Sequence, residues 1–239
     1  MELIAVQKLR NLDPLRPIYI TATSDVTAQE LHAVENGVKT LLSTIGASDK
    51  IPVKNFGNWN YGKGDFESAN WYVNETLLNN QAGHGRQVDA SRLLSLMHDE
   101  PWQKSAPHYE VFVTGRDLFQ LGLTFLTGLT RPEFGTVIST KRFKKLDPQL
   151  IYECTKTETM HELGHVFDAA HHRAGTGSEN KKGAVKHILY DTHCANNSCV
   201  MQPVEIVPHG WIQASIDRLK TGEPFCNPCV TDMQKALGI

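Results

Sequence analysis

No stretch of this chain approaches the roughly 18 consecutive apolar residues that a membrane-spanning helix needs. The apolar patch at its start is broken by Gln7, Lys8 and Arg10, which predicts neither a secretory h-region nor an anchor. An excess of charge of one sign is missing too. Among 239 residues, 24 are Lys or Arg and 26 are Asp or Glu, a net charge of -2. A basic footprint for nucleic acid or an anionic membrane is therefore not expected. Internal repeats, low-complexity tracts and blocks of like charge are absent as well. With 40% hydrophobic and 21% charged residues, the chain suits one globular domain, spanning 1–239, with a sizeable core.

Cysteine is scarce and unevenly placed. The five are Cys154, Cys194, Cys199, Cys226 and Cys229, an odd count that does not read as a secreted disulfide framework. In a reducing compartment two short-spaced pairs more often hold a metal. Cys194-x4-Cys199 with Cys226-x2-Cys229 can close a four-thiolate tetrahedron around zinc, at about 2.3 Å per bond, leaving no position for water. Such a site is structural. Cys154 stands apart and reads as a small buried hydrophobe. The cysteine usage and the start of the chain together predict a cytoplasmic protein.

What is present is an alternation of strand-like and helix-like segments. Residues 17–23 are β-branched and aromatic and predict a first strand. Ser24-Asp25 can cap a helix over 26–45, stopped by Gly46. Further strands are expected at 51–56, 109–114, 121–127 and 136–140, with helical periodicity at 88–97, whereas 57–80 has no clear period. Thr155-Lys156-Thr157-Glu158 reads as a capping box opening a helix over about 155–168. Met160, Leu163 and Phe167 share one face of it, and His161, His165 and Asp168 the other. These elements predict an α/β or α+β domain around a mixed sheet.

His161-Glu162-Leu163-Gly164-His165 is H-E-x-x-H. Side chains four apart stack on a helix, so both imidazoles can reach one zinc at about 2.0–2.1 Å. Glu162 is turned off the ligand line but can reach a zinc-activated water as general base. A catalytic zinc usually has three protein ligands, and two candidates compete for the third. His171 lies six residues after His165, as in the metzincin string H-E-x-x-H-x-x-G-x-x-H. There Asp168 holds the place of the turning glycine, and the Ala-rich stretch after it favours continuing the helix outward. His193 is the other candidate.

His193-Cys194, followed by Cys199, Met201 and then Cys226-x-x-Cys229, resembles the archaemetzincins, a family of zinc metallopeptidases. The resemblance implies a metzincin-like zincin fold with a mixed twisted sheet, an active-site helix and a C-terminal cysteine-zinc subdomain. It implies His193 as the third ligand, Met201 as the Met-turn floor beneath the metal, and Cys194, Cys199, Cys226 and Cys229 around a second zinc. On this chain His165 and His193 are farther apart than in the family, so 169–192 reads as an insertion with an exposed tip at 178–183.

The implied activity is hydrolysis of peptide bonds by zinc-activated water, with Glu162 as catalytic base, two zinc ions per chain, and a peptide or protein as substrate. The upper part would be 1–168 and the lower part 169–239. A catalytically silent zinc-stabilised module that binds protein or peptide is the alternative, and retention of Glu162 argues against it. A zinc-ribbon nucleic-acid binder is disfavoured by the charge balance. Residues 123–127 are a candidate edge strand for pairing with an extended peptide, and His172 is expected to be solvated.

Overall fold

The computed structural model describes residues 12–59, 68–78, 86–173, 193–204 and 206–239. A five-stranded sheet runs in the order β2-β1-β4-β8-β7. Its strands are β1 (Ile18–Ala22), β2 (Val53–Asn58), β4 (Tyr109–Thr114), β7 (Gly128–Arg131) and β8 (Gly135–Ser139). β2, β1, β4 and β8 are parallel, and β7 is antiparallel to β8 at one edge. A second sheet joins β3 (Val88–Asp89), β5 (Leu118–Gln120) and β6 (Leu123–Leu126), with β6 at its edge. All six residues of β4 are buried, as expected of a central strand covered on both faces.

Strand alternation divides the core. Ile18, Ile20, Val111 and Val113 face one cluster, which also holds Met160, Leu163, Phe167, Met201 and Cys199. Phe112 and Val137 face the other, built on α2 (Ala69–Leu78) and α3 (Ala90–His98). The first cluster is continuous from the sheet to the cysteine region, so the C-terminal segments share the main core.

Two helices lie against the first face. α1 (Ala28–Thr44) opens with a capping box made by Thr27 and Glu30, three residues beyond Ser24. It meets the helix that carries Lys156 and Thr159 at Gly37, where a Cβ would come within 2.9 Å of both the Lys156 carbonyl and the Thr159 side chain. α5 (Pro148–Val166) starts earlier than its expected capping box: Asp147 is the N-cap, accepting from Leu150 N–H at 3.0 Å, and Pro148 follows it. Thr155 and Glu158 are buried in its interior instead. The Thr157 and Thr159 hydroxyls donate back to the Glu153 and Thr155 carbonyls at 2.7 and 2.8 Å, which is how a central helix satisfies buried hydroxyls.

α4 (Pro101–Ser105) precedes β4, a short 3-10 turn covers His171–Arg173, and α6 (His209–Thr221) and α7 (Asn227–Leu237) complete the chain. α6 is fastened to α5 by Arg218, which donates to Thr157 Oγ1 at 3.2 Å and pairs with Glu153. No helix among the described residues is long and apolar enough to cross a membrane.

The helical continuation expected past Asp168 does not occur. α5 ends at Val166, and Asp168 adopts a left-handed φ of 58°. Asp168 N–H donates to the His165 carbonyl and Ala169 N–H to Gly164, a Schellman stop in which Asp takes the place usual for glycine. Its short polar side chain tolerates the left-handed turn. Asp168 then pairs with His171 at 2.8 Å, both largely exposed, so it is no polar partner of the histidine site. His172 is exposed to solvent as expected, and its ring and its N–H also both bond Asp232 on α7, at 2.6 and 2.8 Å. The inferred insertion tip at 178–183 lies outside the described residues.

Candidate metal centre

His161 and His165 are carried on consecutive turns of α5, and the loop 193–201 brings His193 to face them. One ligand atom from each of the three lies within 4.8 Å of the others. His161 Nε2 and His165 Nε2 are 3.1 Å apart. Two nitrogens bound to one tetrahedral zinc at the usual bond length would be separated by about 3.4 Å, so the pair fits that ion closely. The Val200 carbonyl accepts from His161 Nδ1 at 2.8 Å. A carbonyl only accepts, so Nδ1 carries the proton and the Nε2 lone pair is directed at the shared point. Burial, then the neighbouring His193, pushes the His161 pKa down to about 3, which keeps the imidazole neutral as a ligand must be. His171 is held by Asp168 and is no member of this cluster.

Glu162 is held from the sheet side. The Thr130 hydroxyl on β7 shares its one hydrogen between the Glu162 Oε2 at 2.6 Å and the Glu162 backbone carbonyl at 2.9 Å. Gly128, on the same strand, leaves room for the carboxyl, since a Cβ there would sit 2.6 Å from it. Burial raises the Glu162 pKa to about 7, against the lowering effect of the Thr130 hydroxyl. These groups border a cleft of about 1340 Å³. Residues 123–126 form β6, an edge strand of the smaller sheet that lines the cleft, and β7 after it is the edge strand of the main sheet along the same cleft.

The four cysteines form a second cluster, with their sulfurs within 4.8 Å of one another. Cys194 Sγ lies 3.6 Å from Cys226 Sγ, and Cys199 Sγ 3.7 Å from Cys229 Sγ. Thiolates around a tetrahedral zinc would be separated by about 3.8 Å. Backbone N–H groups of Asn196 and Cys226 donate to Cys194 and Cys199 sulfurs at 3.4 Å each. Hydrogen bonds with Cys199 and Cys229 draw Cys194 down, while the contact with Cys194 pushes Cys199 up to about 12. Four thiols this close resist sharing negative charge, and a divalent cation at their centre removes that conflict.

One loop joins the two clusters. Cys194 N–H donates to the Met201 carbonyl at 2.8 Å and Val200 N–H to Pro224 at 2.8 Å. Met201 is fully buried, with its sulfur where a Cβ on Gly164 would run into it. The second variable residue of H-E-x-x-H is thus a glycine because a methionine fills its place. Trp211 stands edge-on to His161, ring centroids 5.2 Å apart.

No family model matches the chain. An archaemetzincin from Pyrococcus furiosus is 30% identical over 133 residues, 53% of this chain and 54% of the relative. One from Methanopyrus kandleri is 40% identical over 127 residues, 52% of this chain and 55% of the relative. The chain spans about half the length of the curated relatives it matches. A crystal structure of the Methanopyrus kandleri archaemetzincin superposes with a TM-score of 0.62 at 20% identity, over 97% of this chain and 100% of that one. The chain is archaemetzincin-like.

That likeness covers the fold as expected, a mixed α/β architecture, and this chain carries the expected C-terminal cysteine cluster. An archaemetzincin from Archaeoglobus fulgidus (TM-score 0.53, 22% identity, 91% and 99% covered) and a zinc-dependent peptidase from Methanocorpusculum labreanum (0.57, 17%, 90% and 99%) share that architecture. Sequence reasoning missed the groups that hold the histidine site and Glu162 from outside the motif: Thr130, Gly128 and the Val200 carbonyl. Their contribution is a hydroxyl, an absence and a backbone atom, none of which has a signature at one position.

Proposed function

We propose that this chain is a zinc-dependent peptidase. The observation that carries the reading is the convergence of His161, His165 and His193 beside Glu162, at the floor of a cleft edged by an antiparallel strand. A zinc ion held by the three imidazoles supplies Lewis acidity and makes water nucleophilic near neutral pH. Glu162 takes the proton given up by the attacking water and passes it to the leaving amine. Thr130 orients the Glu162 carboxyl, and the Val200 carbonyl fixes the His161 tautomer. β7 offers its free edge to an extended peptide, a backbone pairing that needs no particular side chain. The names of the similar proteins support a peptidase activity.

The four cysteines hold a second, structural zinc in this reading, giving two per chain. In the same reading the upper part is 1–168, the lower part is 169–239, and the substrate is a peptide or protein. Clustered free thiols suit a reducing compartment, and we place the chain in the cytoplasm.

The test is Glu162→Ala with a peptide library read by mass spectrometry. Zinc content and fold should be retained, because Glu162 is not a ligand, while hydrolysis falls by about 10²–10⁴. Retained hydrolysis would sink the mechanism. Peptide binding without turnover by the parent protein would favour a silent binding module.

A further inference from the structure

Glu158 stands one turn before Glu162 on α5, where residues four apart are neighbours. It is completely buried, and neither of its carboxyl oxygens makes a hydrogen bond of good geometry. The groups that act on it are Glu162, which opposes its charge, and the Thr127 hydroxyl, which favours it. A carboxylate stripped of water without a cation or a full set of donors is among the costliest groups a fold can bury. A carboxylic acid at the same place avoids that cost and brings one donor and one acceptor. Burial and then Glu162 both raise its pKa well above the ordinary range.

What surrounds Glu158 gives this acid a task. Thr127 joins β6 to β7, and its carbonyl accepts from Ser139 N–H at 2.7 Å. Its hydroxyl accepts from Trp211 Nε1 at 3.1 Å, which leaves its own hydrogen free to turn to Glu158. Trp211 in turn stands edge-on to His161, at 85° between planes. The residue after Thr127 is Gly128, the one that clears space for Glu162. Thr127 therefore governs two things at once, the ring behind a proposed zinc ligand and the wall beside the proposed base.

We propose that Glu158 is a positioning residue, carried as a neutral carboxylic acid, that seats Thr127 and so fixes Trp211 behind His161 and Gly128 beside Glu162. The kinetic consequence rests on the peptidase reading above, while the charge state does not. Infrared spectra of the metal-loaded protein at about pH 8.5, well above the ordinary carboxyl range, test the charge state. The carbonyl stretch of a protonated carboxyl should be present in the parent and in Glu162→Gln, and lost in Glu158→Gln. Its absence from the parent, or its survival in Glu158→Gln, overturns the proposal.

Kinetics test the positioning. Glu158→Leu should lower kcat at least about tenfold, as small misplacements do, with KM and cysteine-site zinc unchanged. Glu158→Gln, whose amide also pairs with a hydroxyl, should restore most of that loss. Equal losses in the two variants, or none in Glu158→Leu, would overturn it. Where Glu158→Leu does not fold, Glu158→Asp, which keeps the acid but withdraws it from Thr127, should lower kcat in its place, and parent-like kcat would count against positioning. If the parent itself cleaves no peptide, the peptidase reading fails. The infrared result and the zinc affinity of the histidine site, expected weaker in Glu158→Leu than in Glu158→Gln, still decide the role of Glu158.

Discussion

The histidine cluster and the cysteine cluster share one short loop, 193–201, and their surroundings differ in kind. The histidine cluster borders an open cleft, with a carboxyl and an edge strand beside it. The cysteine cluster is folded into the main core, with Cys199, Cys229, Met201 and Phe225 in one apolar group. Three ligands beside a cleft leave a position for reactants; four thiols enclosed by backbone N–H groups leave none. The difference teaches that the second cluster is the anchor of the first. It fixes both ends of the loop that supplies His193 and the Val200 carbonyl.

That dependence should run one way. Cys229→Ser is expected to have the largest effect, because structural zinc contributes directly to folding. It should remove both zinc ions, seen by metal analysis, and lower the thermal midpoint sharply. A variant that kept histidine-site zinc would break the comparison, since the two clusters would then stand independently.

Histidine-site changes should leave the cysteine zinc in place. His193→Ala should retain about one zinc per chain instead of two, while His171→Ala should retain both, as measured by metal titration. Loss of metal from His171→Ala alone would restore the shorter spacing and refute the insertion. Chelation sharpens the same contrast without mutation. A chelator can enter the open position at the histidines first, so zinc release should be biphasic and activity should vanish with the first phase.

The smallest expected effect is at the contact between the two. Gly164→Ala places a methyl against the Met201 sulfur, an overpacking that typically costs about 1–3 kcal/mol. A lower denaturant midpoint with both zinc ions retained is the expected outcome. Stability equal to the parent would show that Met201 moves aside freely and is no rigid floor.

Much of this was legible in the residues. H-E-x-x-H on a helix, the paired cysteines and the His193-Cys194 junction are short-range patterns, and geometry within a few residues gives them meaning. β1, β4 and β8 were legible for the same reason, through local β-branched and aromatic composition. Boundaries were less so. The expected capping box at Thr155 is an interior stretch, because the real cap, Asp147 with Pro148 after it, works equally well eight residues earlier. Thr155, Thr157 and Glu158, polar enough to open a helix, are instead buried in its middle.

The sequence by itself determined which chemistry this chain can hold: two histidines one turn apart with a carboxylate between them, and four thiols in two close pairs. Tertiary structure decided which histidine completes the set. Asp168 turns the chain as a glycine would, so His171 was not excluded by a continuing helix; it was excluded by where the turn leads, into a pair with Asp168 rather than toward the cluster. His193 arrives because Cys194 is tied to Met201 and, across the core, to Cys226. Local spacing sets what one element can present to a metal, whereas the meeting of loop 193–201 with α5 depends on packing among segments far apart along the chain.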